Sequence, residues 1–556
     1  MIRKEVRESL PEYGLSLILS AGTVFGAFLD RGFSFANMSV LRLLAWAGIS
    51  AALTIPVRWL LTLLCGVLAR WARLEEAPVE LPEAPTSKRG RVFLSGRPGT
   101  CFLFSLGVIL ACWLPVWLAY YPGLWNYDPW QAEQVITGVY SKHHPLLHTL
   151  LLGHIYRFAL EKGNANLAPA LYSAIQAGIC AAIFALTCVL IRQRTRSKVF
   201  FVLSLLFYAV FPVHPIMAMS TTKDTLFAAM ALLAGLLFLW SEECGTVQRR
   251  WLIAAEIPVL ALVILLRNNA KYCFYFLILV GLLKLKKKQW RQILAVVVAG
   301  TVLGVAADRA LGRLLRATPV LVAEMCSVPS QMAGRIQEKA DPADAETSAF
   351  LEEFYSLHEL TYNPYLADPA KKCLRLESRE DLIRYIQGSL RLLRKYPAIC
   401  LDSFLYTTKG LWYLWDQSHT RIYGMENRQG YMATDVQPGY QIEPDSKLPF
   451  LQNWLEKLLT NNAFLRIPIL HLLFAPALYV ILLLLSFFSM LRGRKNRKRL
   501  VIPVLLIFLV LTIALGPGIL PRYVYPLMVW APLLIWMAMK SAGISGRDVP
   551  RAGEAA

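Results

Sequence analysis

Acidic side chains are scarce in this chain of 556 residues, which carries 37 Asp and Glu against 58 Lys and Arg. The formal net charge of +21 would suit nucleic acid only if the basic residues formed one folded face. They cluster instead in short segments between apolar runs, which is the charge pattern of a membrane protein. We therefore expect a lipid bilayer, and no nucleic acid, as a partner of the chain.

Several motifs are also missing. No Walker-type or other Gly-rich phosphate loop is visible, so we predict no nucleotide site. The ten cysteines lie mostly inside apolar runs and have neither a metal-ligand spacing nor a disulfide pattern. No small-residue cleavage site follows the first apolar run, so we expect that run to be a retained helix rather than a signal peptide.

Long apolar runs are what the chain has in abundance, and 56% of its residues are hydrophobic. A run of about 20 apolar residues is long enough to cross a bilayer as a helix. The sequence therefore predicts an all-α, multi-pass membrane protein with about twelve transmembrane helices. The runs lie near 12–28, 41–68, 100–119, 166–191, 199–218, 225–240, 251–267, 272–285, 292–307, 466–490, 500–517 and 523–540.

Charge predicts the orientation of these runs. If the N-terminus is cytoplasmic, alternating the crossings places every dense basic cluster on the cytoplasmic side, in agreement with the positive-inside rule. The same alternation places on the outer face the 120–165 loop, the 220–224 turn, the 308–465 segment and the 516–522 turn. We thus expect a cell-membrane protein whose active site lies on the extracytoplasmic face.

Composition divides the chain into four parts. An N-terminal transmembrane hairpin and cytoplasmic linker occupy 1–98, a transmembrane core 99–307, and C-terminal transmembrane helices with a tail 466–556. The segment 308–465 has soluble composition, with helical periodicity in 349–360 and 381–393. We predict that it is a mostly helical extracytoplasmic domain of about 150 residues, a usual domain size.

The 120–165 loop is polar and aromatic, although it directly follows an apolar run. Asp128 lies in it between Pro122 and Pro129, among aromatic side chains that would raise the pKa of a carboxylate towards neutrality. Such a group could act as a general base towards an attacking hydroxyl. The alternative is that Asp128 only caps a helix that begins at Pro129.

Histidines follow in the same loop, at 143, 144 and 148, and 146–160 is predicted to be an interfacial helix. If His144 and His148 lay on one helix, their i, i+4 spacing would place them on one face, where they could bind a metal with Asp128 or Asp224. Interfacial imidazoles that bond phosphate or backbone are the favoured interpretation. A divalent metal is therefore possible but not required.

Cations stand at three other helix ends on the same predicted face. Lys223 and Asp224 begin one helix, Arg267 ends another, and Arg522 precedes the last. Asp224 complements the N-terminus of its helix, and the arginines could simply snorkel to the surface. Cations in these places also suit a phosphate or diphosphate, which Arg can hold through two parallel hydrogen bonds.

These motifs together resemble the C-type fold of membrane glycosyltransferases, the GT-C superfamily. The residues that carry the resemblance are Tyr-Pro-Gly…Asp at 121–128, Tyr-Ser-Lys-His-His-Pro at 140–145, Lys223-Asp224, Arg267-Asn-Asn and Arg522-Tyr-Val-Tyr-Pro. The closest branch that we can name comprises bacterial membrane proteins typical of Gram-positive anaerobes. The resemblance covers roughly 100–310 and 465–540, so the first two helices lie outside it.

The resemblance implies a glycosyltransferase whose sugar donor is linked to a polyprenyl phosphate and whose acceptor is a glycan, lipid or protein. It implies that Asp128 is catalytic, that Lys223, Arg267 and Arg522 bind the donor phosphate, and that His143, His144 and Asp224 line the same site. The Asp-x-Asp and Trp-Trp-Asp signatures of the oligosaccharyltransferase branch are missing, which argues against peptide-linked glycan transfer and an obligatory metal.

Other functions fit part of the pattern. A transporter or flippase for a lipid-linked or anionic substrate would carry charges near mid-membrane and paired broken helices. The apolar runs here are nearly free of charge at their centres, which favours surface chemistry. A cell-envelope glycan polymerase or ligase, also an outer-face enzyme, would fit the same pattern, and so would a structural or assembly role.

Overall fold

A computed structural model describes most of the chain. The described residues are 2–35, 38–71, 98–126, 129–195, 197–242, 244–284, 288–340, 344–416, 442–459, 463–492 and 497–541. Within these ranges the protein is all-helical, and β pairing is confined to isolated bridges. The predicted all-α fold class is confirmed at this level.

Residues 2–314 form twelve α-helices where they are described. They are α1 (Ile2–Asp30), α2 (Val40–Trp71), α3 (Pro98–Ala119), α4 (Glu133–Thr137), α5 (Leu146–Glu161), α6 (Leu167–Thr195), α7 (Lys198–Val210), α8 (Val213–Met219), α9 (Lys223–Ser241), α10 (Thr246–Leu266), α11 (Ala270–Leu282) and α12 (Lys288–Leu314).

The described residues after Leu314 add helices of at most 17 residues. They are α13 (Ser327–Lys339), α14 (Ala345–Phe354), α15 (Asp368–Lys372), α16 (Arg379–Lys395), α17 (Pro397–Thr408), α18 (Pro449–Leu459), α19 (Pro468–Phe474), α20 (Pro476–Arg492), α21 (Val501–Ala514), α22 (Pro521–Met528) and α23 (Ala531–Ser541). Single 3₁₀ turns occupy Pro129–Ala132, Val322–Met325, Lys409–Leu411, Ala463–Arg466 and Arg497–Leu500.

Six described helices are long and apolar enough to cross a membrane, and a seventh span results if α7 and α8, which are bent by 45°, form one crossing. This identifies a membrane protein. The six are Glu12–Asp30, Val40–Leu64, Pro98–Ala119, Leu167–Thr195, Lys223–Ser241 and Trp290–Leu314.

All twelve predicted apolar runs are helical, but several are broken. The 199–218 run divides at Pro212 into α7 and α8, and the 466–490 run divides before Pro476 into α19 and α20. A proline lacks the N–H that would continue the preceding helix, so it is accommodated best in the first turn of a new one. The breaks explain part of the difference between twelve runs and six long spans, and α11 and α21 are unbroken helices of only 13 and 14 residues.

Helices of the predicted core pack around α6 and α9. α9 packs against α6, α10 and α22, and α10 also packs against α12. Of the most apolar stretch of α9, 72% is buried, against 11% for α2. The core therefore positions the ends of α9 and α10, while α2 presents its apolar side chains outward.

The 308–465 segment is mostly helical where it is described, as predicted. The expected helix over 349–360 is only partly right, because α14 begins earlier and ends at Phe354. Tyr355 has an extended backbone and pairs with Leu374 in an antiparallel bridge. The helix therefore ends there although the helical sequence pattern continues. Leu366 pairs in the same way with Gly518, which joins the segment to the turn before α22.

Candidate functional site

The N-terminus of α9 is the centre of a buried polar cluster. Thr222 is its N-cap, and the Thr222 hydroxyl accepts a hydrogen bond from the backbone N–H of Asp224. This is the usual way to satisfy the first amide groups of a helix, which have no partner within it. The cap fixes Lys223 as the first helical residue and directs Asp224 into the protein, where it is 1% exposed.

The chain just before Asp128 is fastened to this N-terminus. Leu124 forms a parallel bridge with Ser220, since its N–H donates to Met219 and its carbonyl accepts from Thr221. The Thr221 hydroxyl accepts from the Asn126 N–H at 3.1 Å and donates to the Asn126 carbonyl at 2.7 Å. The 120–126 part of the loop is thereby held in register with the start of α9.

Asp224 forms a buried ion pair with Arg267. Arg267 Nη1 lies 3.0 Å from Asp224 Oδ1, and the two side chains are 10% and 1% exposed. Arg267 is the C-cap of α10 and has an extended backbone, so α10 ends at its position as predicted. Because buried charges are costly without a partner, this pair fixes how the ends of α9 and α10 meet.

His144 is buried and hydrogen-bonded to Lys223. The distance from Lys223 Nζ to His144 Nδ1 is 2.9 Å. An ammonium group can only donate, so Nδ1 accepts and the proton of the neutral ring is on Nε2. Burial, and after it the charge of Lys223, hold the pKa of His144 far below its usual value. His144 Nε2 is therefore a buried donor, and it has no hydrogen-bond partner among the described residues.

Aromatic rings flank this imidazole. Trp130 lies edge-on to His144, with ring centroids 5.0 Å apart, and it stacks against His143 at 6.2 Å. His143 is half-buried and Trp130 is 38% exposed, so this side of the cluster opens to the surface. The Asn268 side-chain amide donates to the Lys142 carbonyl at 2.9 Å, which ties the histidine loop to the residue after Arg267.

His148 belongs to a hydrogen-bond chain of its own. Gln176 Nε2 donates to the carbonyls of Met217, Ala218 and Ser220, so its Oε1 accepts from the Tyr172 hydroxyl at 3.0 Å. The Tyr172 oxygen then accepts from His148 Nε2 at 2.7 Å, which leaves Nδ1 unprotonated. Burial, followed by the charge of Lys223, lowers the pKa of His148 to about 3, so this ring is neutral as well.

Arg522 joins the cluster through Tyr523. It is the second residue of α22, and its guanidinium lies 5.0 Å from the centre of the Tyr523 ring. The guanidinium of Arg267 lies 5.6 Å from the centre of the same ring. Tyr523 thus holds two cations near one another through contacts with its π system.

The structure brings together six of the seven predicted site residues: His143, His144, Lys223, Asp224, Arg267 and Arg522. The seventh, Asp128, lies outside the described residues. The roles assigned to all seven stay predictions.

The expectation that His144 and His148 could share a helix face is wrong. Pro145 is the N-cap of α5, so His144 precedes the helix and turns to Lys223 instead. Over the described ranges, no group of three or more His, Cys, Asp or Glu side chains is placed to hold a metal ion.

Sequence reasoning missed Gln176, and it named Asn268 and Tyr523 in motifs without predicting their contacts in the cluster. Tyr523 and Asn268 directly follow the predicted arginines, and Gln176 is a polar residue inside an apolar run. A buried amide in such a run needs hydrogen-bond partners, and that requirement was the available signal.

Comparison with known protein families gives a match over most of the chain. Residues 135–548 match a family of unknown function, DUF6020, and this range includes every described residue of the cluster except the 120–126 segment and Trp130. No curated protein and no solved structure matches the chain.

Proposed function

The chain belongs to the DUF6020 family, whose function is unknown, and we propose that it is a membrane glycosyltransferase that uses a polyprenyl-phosphate-linked sugar donor. One observation carries the proposal: Lys223, Arg267 and Arg522, from three different helix ends, converge beside two neutral imidazoles. Converging cations and neutral N–H donors suit a sugar phosphate, which is anionic at one end and rich in hydroxyls at the other.

The proposed topology is the twelve-span arrangement with the cluster on the outer face of the cell membrane. The six long spans and the bent α7–α8 pair support it, with α10, α11 and the C-terminal apolar helices as the other crossings. The positive-inside distribution of basic residues supports the orientation. In this topology the 308–465 segment is extracytoplasmic, next to the cluster.

Lys223 and Arg522 are the proposed phosphate ligands. Both are half-buried, whereas Arg267 is almost fully buried and already paired with Asp224. We therefore propose that Arg267 mainly positions Lys223, through Asp224, and Arg522, through Tyr523. Charge that develops on the departing phosphate would be stabilised by cations that are already in place.

Asp128 is the proposed base. Its neighbours support this role, because Asn126 is bonded to Thr221 and Trp130 packs on both histidines. The acceptor hydroxyl would lose its proton to Asp128 as its oxygen bonds to the anomeric carbon. The bond between that carbon and the phosphate oxygen breaks, and the lipid phosphate leaves with the bonding electrons. His144 Nε2–H would donate to an oxygen of the donor.

Transfer of radiolabelled sugar tests the proposal. The purified full chain would be given polyprenyl-phosphate sugars and membrane extract, with Asp128→Asn and Arg522→Gln beside the wild type. We expect each variant to lose about 100-fold or more in rate, because a general base and a fixed charge donor each contribute about that much. Arg157→Gln is the matched control, since Arg157 is an exposed arginine, paired with Glu161.

A wild type that consumes no donor would contradict the proposal. So would variants that fold and transfer sugar at the wild-type rate. Proteoliposomes of the purified chain test the second candidate, a flippase for a lipid-linked substrate. The bend between α7 and α8 favours this candidate, because transporters bind substrate at broken helices. Movement of labelled lipid between leaflets without sugar transfer would support that candidate instead.

A further inference from the structure

A cavity of about 440 Å³ lies away from the polar cluster, between the α1–α2 turn and helices α13 and α17. Arg42 contributes to it from the first turn of α2, and Arg335 and Lys339, one turn apart, contribute from α13. Residues four apart share a helix face, so the two α13 cations point to the same side. The lining residues are Phe28, Gly32, Phe33, Ser34, Met38, Arg42, Arg335, Lys339, Pro364 and Tyr406. None of them is acidic, and the partly exposed Glu338, which pairs with Arg335 and with Lys339 at 3.4 Å, is not among them.

Arg335 is the buried cation of this cavity, with a side chain that is 10% exposed. Its guanidinium lies over the rings of Tyr362 and Tyr406, at 5.0 and 5.7 Å from their centres. Nη1 donates to Glu338 at 2.9 Å, but Nε is buried and has no hydrogen-bond partner in the described part of the chain. A buried N–H without an acceptor is unfavourable, so an acceptor that entered the cavity would be stabilised.

The nearest buried carboxylate does not satisfy Arg335. Asp402 Oδ2 lies 4.0 Å from Arg335 Nη2, which is too far for a hydrogen bond. Asp402 Oδ1 accepts instead from the Phe35 N–H at 2.7 Å, and Oδ2 accepts from the Ser34 hydroxyl. The carboxylate is thus committed to the α1–α2 turn, and Arg335 keeps capacity for a second anion.

The cavity also lies at the ends of two candidate membrane spans, Glu12–Asp30 and Val40–Leu64. The first turn of α2 exposes apolar side chains, with Val40 at 73% and Leu41 at 78%. A cation pocket beside an exposed apolar helix end matches the level at which phospholipid phosphates meet acyl chains.

We propose that this cavity is a second anion site, which binds a phosphate group between Arg42, Arg335 and Lys339. It goes beyond the proposed glycosyltransferase activity and shares no residue with the polar cluster. Two sources carry the same chemistry, the headgroup of an anionic phospholipid and soluble phosphate.

Binding to the purified full chain in phosphatidylcholine nanodiscs tests the site. One arm adds phosphatidylglycerol and counts bound lipid by native mass spectrometry, and the other titrates inorganic phosphate by calorimetry. Arg42→Gln/Lys339→Gln removes the two exposed cations and leaves buried Arg335 to hold the fold. Arg394→Gln, an exposed arginine on α16, is the matched control. We expect the double variant to weaken binding about 100-fold, because each charge-assisted hydrogen bond contributes about tenfold.

Both arms are repeated with Arg522→Gln, which distinguishes phosphate bound by the polar cluster from phosphate bound in the cavity. Binding that survives Arg522→Gln and is lost in the double variant supports the proposal, whether or not sugar transfer is ever observed. Lipid binding alone identifies the headgroup as the source, and phosphate binding alone identifies the soluble anion. Equal binding to the double variant and the wild type, or no binding of either probe to the wild type, would overturn it.

Discussion

Arg267 and Arg335 are buried alike but differ in how close a buried carboxylate lies to each. Each side chain is 10% exposed, and each guanidinium lies near two aromatic rings, Phe227 and Tyr523 for Arg267 and Tyr362 and Tyr406 for Arg335. Arg267 has a buried carboxylate at 3.0 Å, whereas the buried carboxylate nearest to Arg335 is 4.0 Å away.

The difference separates a positioning charge from a binding charge. An arginine whose charge is matched inside the fold holds helices together and offers little to a ligand. Arg335 lines an open cavity and keeps a buried Nε–H without an acceptor in the described part of the chain, so it can gain from an incoming anion.

Arg267→Met should have the largest effect on stability. It leaves the Asp224 carboxylate buried without its cation, and removal of one partner of a buried ion pair costs about 3–5 kcal/mol. We expect the free energy of unfolding in detergent to fall by that amount. The double variant Asp224→Leu/Arg267→Met should recover most of the loss, since no charge is then left unpaired. A single variant as stable as the wild type would show that the pair holds nothing together.

Acid should act next, and on the cluster around Arg267 through its two buried imidazoles. The pKa of His148 is about 3 and that of His144 is also depressed, first by burial and then by Lys223. An unfolded histidine titrates near about pH 6.5, so below that pH the unfolded chain binds more protons and stability falls. Between about pH 7.5 and about pH 5.5, each of the two imidazoles should remove about 1.4 kcal/mol.

Unfolding measured at both pH values checks this prediction with His148→Gln, which should reduce the acid-induced loss by about 1.4 kcal/mol. His358→Gln is the control, because His358 is exposed on the 308–465 segment. An equal effect of the two substitutions would count against the buried neutral imidazole. The cavity around Arg335 has no histidine among its lining residues, so it should contribute nothing to this loss.

Arg335→Met should destabilise less than Arg267→Met. The side chain of its ion-pair partner Glu338 is 43% exposed, and partly solvated ion pairs contribute at most about 1 kcal/mol. Lost cation–π contacts with the two tyrosines add about 1 kcal/mol, while Met keeps the packing of the stem. Unfolding free energies of the two arginine variants, measured side by side, give the contrast directly. A loss of stability as large as that of Arg267→Met would mean that the buried Asp402 carboxylate needs Arg335 as its counter-charge.

Lys142→Met should have the smallest effect. Lys142 Nζ lies 3.0 Å from Asp308, and the two side chains are 26% and 29% exposed, so the expected loss is about 1 kcal/mol or less. Thermal unfolding of this variant measures the loss of stability for a partly solvated ion pair, which can be compared with the losses for the two buried arginines. A loss comparable to that of Arg267→Met would remove burial as the cause of the contrast between the two arginines.

Local chemistry made the helices predictable. The apolar runs predicted where the helices lie, because hydrophobic patterns depend on near neighbours. The breaks at Pro212 and before Pro476 were not predicted, although prolines act on neighbouring backbone groups. The same logic placed Arg267 at the end of α10 and Lys223 at the start of α9. It also showed the cations and histidines at helix ends, which is why six of seven predicted residues fall in one described cluster.

Partner choice was beyond the sequence. The sequence by itself determined which segments are helical and apolar and which side chains stand at their ends. Only the tertiary structure decided that Asp224 meets Arg267, that His144 meets Lys223, and that Asp402 turns to the α1–α2 backbone and stays 4.0 Å from Arg335. These contacts join residues far apart in the chain, so they depend on how the helices pack, whereas caps and hydrophobic runs depend only on near neighbours.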